Sequence, residues 1–443
     1  MTFSLIVSSG LTLVLALVLA SKLGAQLGNQ HKYHLDGAEH HFHTLHGIWS
    51  ETELQALRKM VEDYKVVPSS TKDQTSSVEE VAGEAQERVN GECRHPFLVP
   101  STRNSSLCIL PSRFDVGRHY VMTGGRKGFK EKYARVLSRI LGFNKFILAQ
   151  EDQQAFMQIP ELKALFESQG YLSGAAAVCN LDTDTPILDP FQLGIIMNIP
   201  GQQTSTHLDV PYFYGATRFD TPSWLLVVMQ MSGLWEDKRV AQVQGVAYLH
   251  DWEDEEENLK QKGGAFFYHK NGVNEAADVF LARTNAAIIC DGSLVVHGSE
   301  PFLPYEKDIQ FMKKEDENEL VFAGNDTWAL HVNGEPVASY GPDRRRMALV
   351  WRSRCFRDEA EKAAYDATPP MSVESIVDTL VADLRARNRL SGKTPQGLDL
   401  ANLLMDEYVT YPRPDAKIPV NFCVIDRLFP NMPIGWLLNL FCD

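Results

Sequence analysis

The sequence predicts a mainly β core set between helical flanks and led by a hydrophobic N-terminal segment. Three observations predict it. Between residues 191 and 357, short β-type runs recur with turn residues between them. On either side, apolar residues fall at helical spacing, and the chain begins with an uncharged run.

That run, Phe3 to Ala20 (FSLIVSSGLTLVLALVLA), is eighteen residues without a charge. At about 1.5 Å per residue it nearly spans a hydrocarbon core, for which about 20 residues are typical. Two readings of residues 1–22 stand. One is a single-pass membrane anchor; the other is a signal segment cut after Ala20, which delivers the chain to the secretory lumen. The anchor is the leading expectation, because Met1-Thr2-Phe3 lacks the basic stretch of a signal peptide. Lys22 and Lys32 follow the run and favour that side staying cytosolic.

Residues 23–48 read as a linker in which the stretch 31–46 (HKYHLDGAEHHFHTLH) holds six of the thirteen histidines, solvated rather than metal-binding. Residues 49–190 form a helical N-terminal region. Ser50 caps its first helix, Glu53 completes a capping box, and Leu54, Leu57 and Val61 share a face. Residues 68–91 lack apolar periodicity and read as a flexible loop. A further helix is expected over Lys130–Leu141, with Tyr133, Val136, Leu137 and Ile140 as its stripe and Gly142 as its stop.

The runs that build the core over 191–357 are LGIIMNI, WLLVVMQM, GVAYLH, GAFFYH, AAIIC, SLVVH, ELVFAG, TWALHV and MALVW. Many short strands without intervening helices suggest a sandwich or barrel rather than a βαβ fold. ELVFAGNDTWALHVNGEPVASY reads as an extra hairpin turning at Asn333-Gly334, either rimming the substrate opening or standing in solvent. From 358 to 443 the chain returns to helices: Ser372 caps one with Ile376, Leu380 and Leu384 on a face, and Leu400–Tyr408 forms another.

Hydrophobic residues at 44% and charged residues at 23% exclude a disordered chain or a fibre. The net charge of −14 argues against a nucleic-acid partner, which requires a basic face. Seven cysteines without a CxxC pair are too few for a disulfide scaffold, although Cys93 and Cys108 are close enough to bridge a loop. Two glycosylation sequons start at Asn104 and Asn325.

The residues that carry chemistry start with His207-Leu208-Asp209. On a strand, positions i and i+2 point to the same face, so both side chains are able to hold one ion. His297 lies ninety positions on, at the end of SLVVH. Two histidines and a carboxylate form the facial triad of non-haem Fe(II) oxygenases, which leaves positions open for cosubstrate and O₂. Downstream, Arg346 and Arg352 are six apart and share a strand face. An arginine among apolar residues needs an anion, and a dicarboxylate supplies one in planar geometry. Arg344 and Arg345 read as a solvent-facing hairpin end. Tyr212, Phe213, Tyr214, Phe219 and Trp224 follow the HxD and either line a substrate mouth or fill core.

Taken in order, these residues resemble the 2-oxoglutarate- and Fe(II)-dependent dioxygenases, in their prolyl-hydroxylase-like and AlkB-like branches. IMNIPGQQTSTHLD is similar to the first core strand, its Pro-Gly turn and the metal-binding HxD. Lys262-Gly263-Gly264-Ala265-Phe266 is similar to the turn before the middle strands, and Ala287–Gly292 to the stretch that leads to the distal histidine, His297. The resemblance implies a double-stranded β-helix (jelly-roll) core, with His207, Asp209 and His297 as metal ligands. It implies that Arg346 binds the distal carboxylate of 2-oxoglutarate, with Arg352 assisting near the metal end. Relatives often carry a tyrosine nine residues before the first ligand histidine; here Asn198 stands there, with an amide that can donate a comparable hydrogen bond. Arg346 follows His297 by 49 positions, farther than in relatives, so 301–343 reads as an insertion.

The expected function is therefore hydroxylation or demethylation of a protein, lipid or small-molecule substrate. Fe(II), 2-oxoglutarate and O₂ would take part, with ascorbate as a candidate accessory reductant. Asp209 points away from halogenation, because related halogenases replace that carboxylate with a small residue. A non-catalytic β-barrel binding module on a membrane anchor is the alternative, and a nucleic-acid demethylase the third reading.

Overall fold

A computed structural model describes residues 42–68, 86–87, 99–100, 107–109, 144–150 and 158–408, less 184, 205–206, 253–254, 271–276, 311 and 313–315. The run 3–20, the histidines before Phe42, loop residues 69–85, Cys93, the sequon at Asn104 and the helix expected over 130–141 lie outside the described residues. Among the described residues, no helix is long and apolar enough to cross a membrane.

The architecture is mainly β with helices. In chain order the strands are β1 (Phe42–His46), β2 (Val66–Pro68), β3 (Gln86–Glu87), β4 (Val99–Pro100), β5 (Leu107–Ile109), β6 (Asn144–Gln150), β7 (Ile187–Asn198), β8 (Tyr212–Phe213) and β9 (Arg239–Val240). They continue with β10 (Gln242–Tyr248), β11 (Phe266–Tyr268), β12 (Asp278–Phe280), β13 (Ala286–Cys290), β14 (His297–Ser299), β15 (Asn318–Gly324), β16 (Thr327–Val332), β17 (Glu335–Tyr340) and β18 (Arg346–Phe356). The helices are α1 (Glu51–Asp63), α2 (Pro160–Glu167), α3 (Gln169–Val178), α4 (Ser223–Ser232), α5 (Glu256–Lys262), α6 (Glu359–Asp366), α7 (Val373–Ala386) and α8 (Gly397–Tyr408).

A six-stranded antiparallel sheet in the order β1-β13-β10-β18-β7-β6 forms the frame. Alternation along each strand gives it two apolar faces. Met347, Leu349 and Trp351 of β18 point outward with Ile195 and Met197 of β7, and pack under α1, α2 and α3. Gly245 of β10 stands opposite Trp351, where a Cβ would sit 2.0 Å from the indole, so only glycine admits the ring. Ala348 and Val350 point inward with Val246, Tyr248 and Ile288, against Phe266 of β11 and Phe280 of β12. The three-stranded sheet β12-β11-β14 thus closes over the inner face.

The helix at 51–63 forms as expected. Ser50 and Glu53 make the reciprocal capping box, and Leu54, Leu57 and Val61 are buried. The helix expected from Ser372 runs as α7 and packs with α8 on α4.

Several expectations need correction. WLLVVMQM is not a strand but the body of α4, with Pro222 before it and Gly233 behind it in the left-handed region. Trp224 through Ser232 are all buried, and a run apolar on every side carries no period that separates helix from strand. Residues 42–46, read as linker, form β1 on the edge of the main sheet. SLVV is a turn, and His297 opens β14 rather than ending a strand. There the Asp291 carboxylate accepts from the backbone and hydroxyl of Ser293, bending the chain. The expected hairpin is a three-stranded meander, β15-β16-β17, joined by β2. Leu320, Trp328, Leu330 and Tyr340 bury it against the outer layer, so it neither rims the site nor stands free. Cys179 and Cys355 form a disulfide tying α3 to β18, their Cα atoms 6.3 Å apart and 176 positions separated in sequence. No local pattern marks that pairing.

Candidate metal centre

After β7 the chain reverses at Pro200-Gly201, where Gly201 has a φ of +86°. It then runs back alongside β14. The backbones of His207 and His297 exchange two hydrogen bonds of 2.8 and 3.0 Å, and Asp209 N donates to Gly292 O at 2.7 Å. His207 and Asp209 therefore stand on an isolated bridge and the loop beyond it, not on a regular strand.

This pairing brings the three expected ligands together. His207, Asp209 and His297 are buried, and one ligand atom from each lies within 4.8 Å of the others. His207 Nε2 is 3.6 Å from one carboxylate oxygen of Asp209, and His297 Nε2 is 3.9 Å from the other. That second oxygen, Oδ2, is buried without a hydrogen-bond partner. A carboxylate with one orphaned oxygen, flanked by two imidazoles, is the donor set a divalent cation satisfies, so these residues fit Fe(II). The Nδ1 of His297 lies 2.8 Å from the Val295 carbonyl, so its N–H donates there and the proton-free Nε2 is left to act as a ligand.

Electrostatics hold the ligands in their binding states. Burial alone would raise the Asp209 carboxyl, but the adjoining Arg352 guanidinium and the two imidazoles outweigh it and hold the group well below the usual carboxylate range. Burial, reinforced by His207, pushes His297 down to about 3, so its imidazole is neutral at physiological pH. Metal binding therefore displaces no proton from either group.

Gly292 leaves room for the carboxylate: a Cβ there would stand 2.3 Å from Asp209 Oδ2 and 2.7 Å from Gln244 Nε2. Gln244, on the inner face of β10, also sits 2.8 Å from His297 Nε2. Reading the strand from Gly245 missed Gln244. The period-two pair Gln242 and Gln244, polar in an otherwise apolar run, is the signal that could have found it.

The second group of residues lies at the other end of the inner face. Arg346 is 3% exposed, and its Nη1 donates to Asn198 Oδ1 at 2.6 Å across the β18–β7 register. Its guanidinium lies over the Tyr248 ring at 5.0 Å, and Gly264 passes so closely that a Cβ would meet its Cδ at 2.7 Å. Among the described residues no carboxylate pairs with it, and both Arg346 Nε and Asn198 Nδ2 are buried donors without an acceptor.

The neighbours of β18 are β7 and β10, and they set its inward face. Arg352 points to the metal end, where it meets Asp209. One expectation about the arginines changes. Arg345 is not solvent-facing: it is buried, bonded to Asp326 and the Gly341 carbonyl, while Arg344 meets Glu306 and Asp308 nearer the surface. Of the aromatics after the HxD, Tyr212, Phe213 and Trp224 are core, Tyr214 is half-buried, and Phe219 is exposed.

No protein-family model and no curated protein matches the chain. Among solved structures, it is similar to a prolyl hydroxylase from Trichoplax adhaerens, solved with a hypoxia inducible factor peptide fragment, at 11% identity. That match covers 78% of this chain and 95% of that one, with a TM-score of 0.32. A Pseudomonas putida prolyl-4-hydroxylase matches at 12% identity over 71% and 93%, TM-score 0.29. A 2OG-Fe(II) oxygenase family oxidoreductase from Burkholderia pseudomallei matches at 10% over 49% and 69%, TM-score 0.26. Likenesses this distant assign no activity; the donor set itself points to the chemistry.

Proposed function

We propose that the chain is an Fe(II)- and 2-oxoglutarate-dependent dioxygenase that hydroxylates or demethylates its substrate, and that its two facing sheets are a double-stranded β-helix. One observation carries the reading. A three-ligand centre with an orphaned carboxylate oxygen and a buried guanidinium with no acid partner among the described residues share one apolar inner face. A dicarboxylate that chelates at one end and is charged at the other satisfies both.

In this reading His207, Asp209 and His297 hold Fe(II), which with 2-oxoglutarate and O₂ supplies the oxidising chemistry and releases succinate and CO₂. Arg346 takes the distal carboxylate, with Asn198 Nδ2 and the Tyr248 hydroxyl beside it. Arg352 holds the Asp209 carboxylate in place. Val246, Ile288, Ala348 and Val350 keep the stretch between the two ends dry.

The test is anaerobic. Purified protein with Fe(II), 2-oxoglutarate and ascorbate as reductant should develop the weak visible charge-transfer band of the chelate, and alanine at Asp209 should abolish it. Absence of the band in the wild type would favour a binding module instead.

The compartment is a further proposal. A buried disulfide between Cys179 and Cys355 favours an oxidising surrounding, and the sequon residue Asn325 is exposed in the β15–β16 turn. Both support a catalytic domain facing the secretory lumen, with residues 3–20 as anchor or signal, over the cytosolic side that Lys22 and Lys32 favour. Carbonate extraction and a glycosidase-sensitive mass shift test it.

A further inference from the structure

We propose that the substrate of this site carries a carboxylate and that Arg218 binds it. This rests on the oxygenase reading and deepens it.

Past the metal ligands the inner face of the main sheet turns polar. Gln244, Arg352 and Gln192 stand opposite one another on β10, β18 and β7, and Gln242 faces Arg354 in the next row. This end lies nearer to solvent than the Arg346 end: the Arg352 and Arg239 side chains keep 12% and 21% exposure and Phe219 keeps 46%, against 3% for Arg346. Substrate approaches here rather than at the sealed Arg346 end.

Four arginines gather around this opening, and three are neutralised. Arg352 pairs with Asp209, Arg239 with Asp291 at 3.0 Å, and Arg354 with Asp189 at 2.7 Å. Arg218 has no carboxylate among the described residues. Its Nη1 donates to Gln192 Oε1 at 2.7 Å, directly across the register from Arg352. Asp220, the nearest acid in sequence, is occupied by Thr217 and Thr221.

Phe191 and Phe219 lie near the guanidinium of Arg218, at 5.7 and 5.0 Å. With Nη1 engaged, the Nε–Nη2 edge remains, and that edge matches a carboxylate side-on. In the adjoining row Gln242 Nε2 is a buried donor without a partner. Phosphate would call for more cations than this one, since the other three are already taken. The chain's net charge of −14 repels anions at a distance, so a carboxylate substrate needs such a local cation.

The experiment uses the full chain loaded with Mn(II) and saturated with N-oxalylglycine, which fills the cosubstrate position. Acetate, hexanoate and 4-phenylbutyrate are each titrated calorimetrically against their primary amides. At least one acid should bind the wild type about 10-fold or more tightly than its amide, as expected for a charge-assisted pair. Arg218→Gln should erase that preference, and Arg218→Lys should restore part of it. Mn(II) stoichiometry and N-oxalylglycine affinity should stay unchanged in both. No acid preference in the wild type, or the same preference in Arg218→Gln, overturns the proposal. If Mn(II) and N-oxalylglycine fail to bind the wild type, the oxygenase reading fails by itself. The same titration on the unloaded chain then decides Arg218 by the same two outcomes.

Discussion

Replacing Arg346 with methionine separates cosubstrate binding from folding. In the free protein Arg346 is 3% exposed, and its guanidinium faces an amide, a phenol and, among the described residues, no carboxylate. Removing that charge relieves a desolvation cost and forfeits a hydrogen bond to Asn198, so the unliganded variant should match wild-type stability within about 1–2 kcal/mol. The liganded state differs. Losing one partner of a buried ion pair costs about 3–5 kcal/mol, which weakens 2-oxoglutarate binding by about 10²–10³-fold. At 2-oxoglutarate one hundred times the wild-type Kd, the wild type gains about 2.7 kcal/mol of stability, and the variant about 0.4 or less. Denaturant melts of the Mn(II)-loaded protein, with and without 2-oxoglutarate, read both quantities. Equal stabilisation of variant and wild type would refute the assignment. Arg345→Met is the control: it breaks the part-buried bond to Asp326, so stability falls while 2-oxoglutarate binding holds. If Arg345→Met loses binding and Arg346→Met keeps it, the inward face of β18 is the wrong one.

Gly292→Ala places a methyl group against Asp209 Oδ2 and should weaken metal binding by about 10–100-fold, read by anaerobic titration; unchanged affinity would remove Gly292 from the centre. His250 is buried, with Nε2 2.8 Å from the Ala282 carbonyl, and burial, with Arg346 also contributing, pushes it down to about 3. The folded state thus favours the neutral ring, so its contribution is complete above pH 6.5 and is lost as pH falls toward 3, by at most about 1.4 kcal/mol per pH unit. His250→Gln should flatten that slope in urea melts run from pH 7 to 4. Serine at both Cys179 and Cys355 should cost about 2–4 kcal/mol, and non-reducing peptide mapping of the wild type should recover the linked pair.

The chemistry of the centre was legible in the chain because residue type decides it. An imidazole, a carboxylate two positions on and a distant second imidazole are a ligand set whatever holds them, and Arg346 stood out as a cation beginning an apolar run. The α1 cap was legible for a similar reason, since Ser50 and Glu53 contact each other across three positions. Elsewhere local pattern was silent or misleading. WLLVVMQM is apolar but for Gln230, and its neighbours decide that it is a helix. SLVVH has strand composition, yet Asp291 turns it.

The sequence by itself determined the ligand types and the net charge, which residue identity alone sets, and the short-strand core and the capped helices, which follow from residues within a few positions of one another. Tertiary structure decided the rest. It buried Arg345 against Asp326, paired Cys179 with Cys355 across 176 positions, and set Gly292 under the Asp209 carboxylate. Among the described residues it also left Arg218 without an acid while its three neighbours acquired one. Each of these outcomes depends on which distant groups meet after burial, and short-range periodicity carries no record of those meetings.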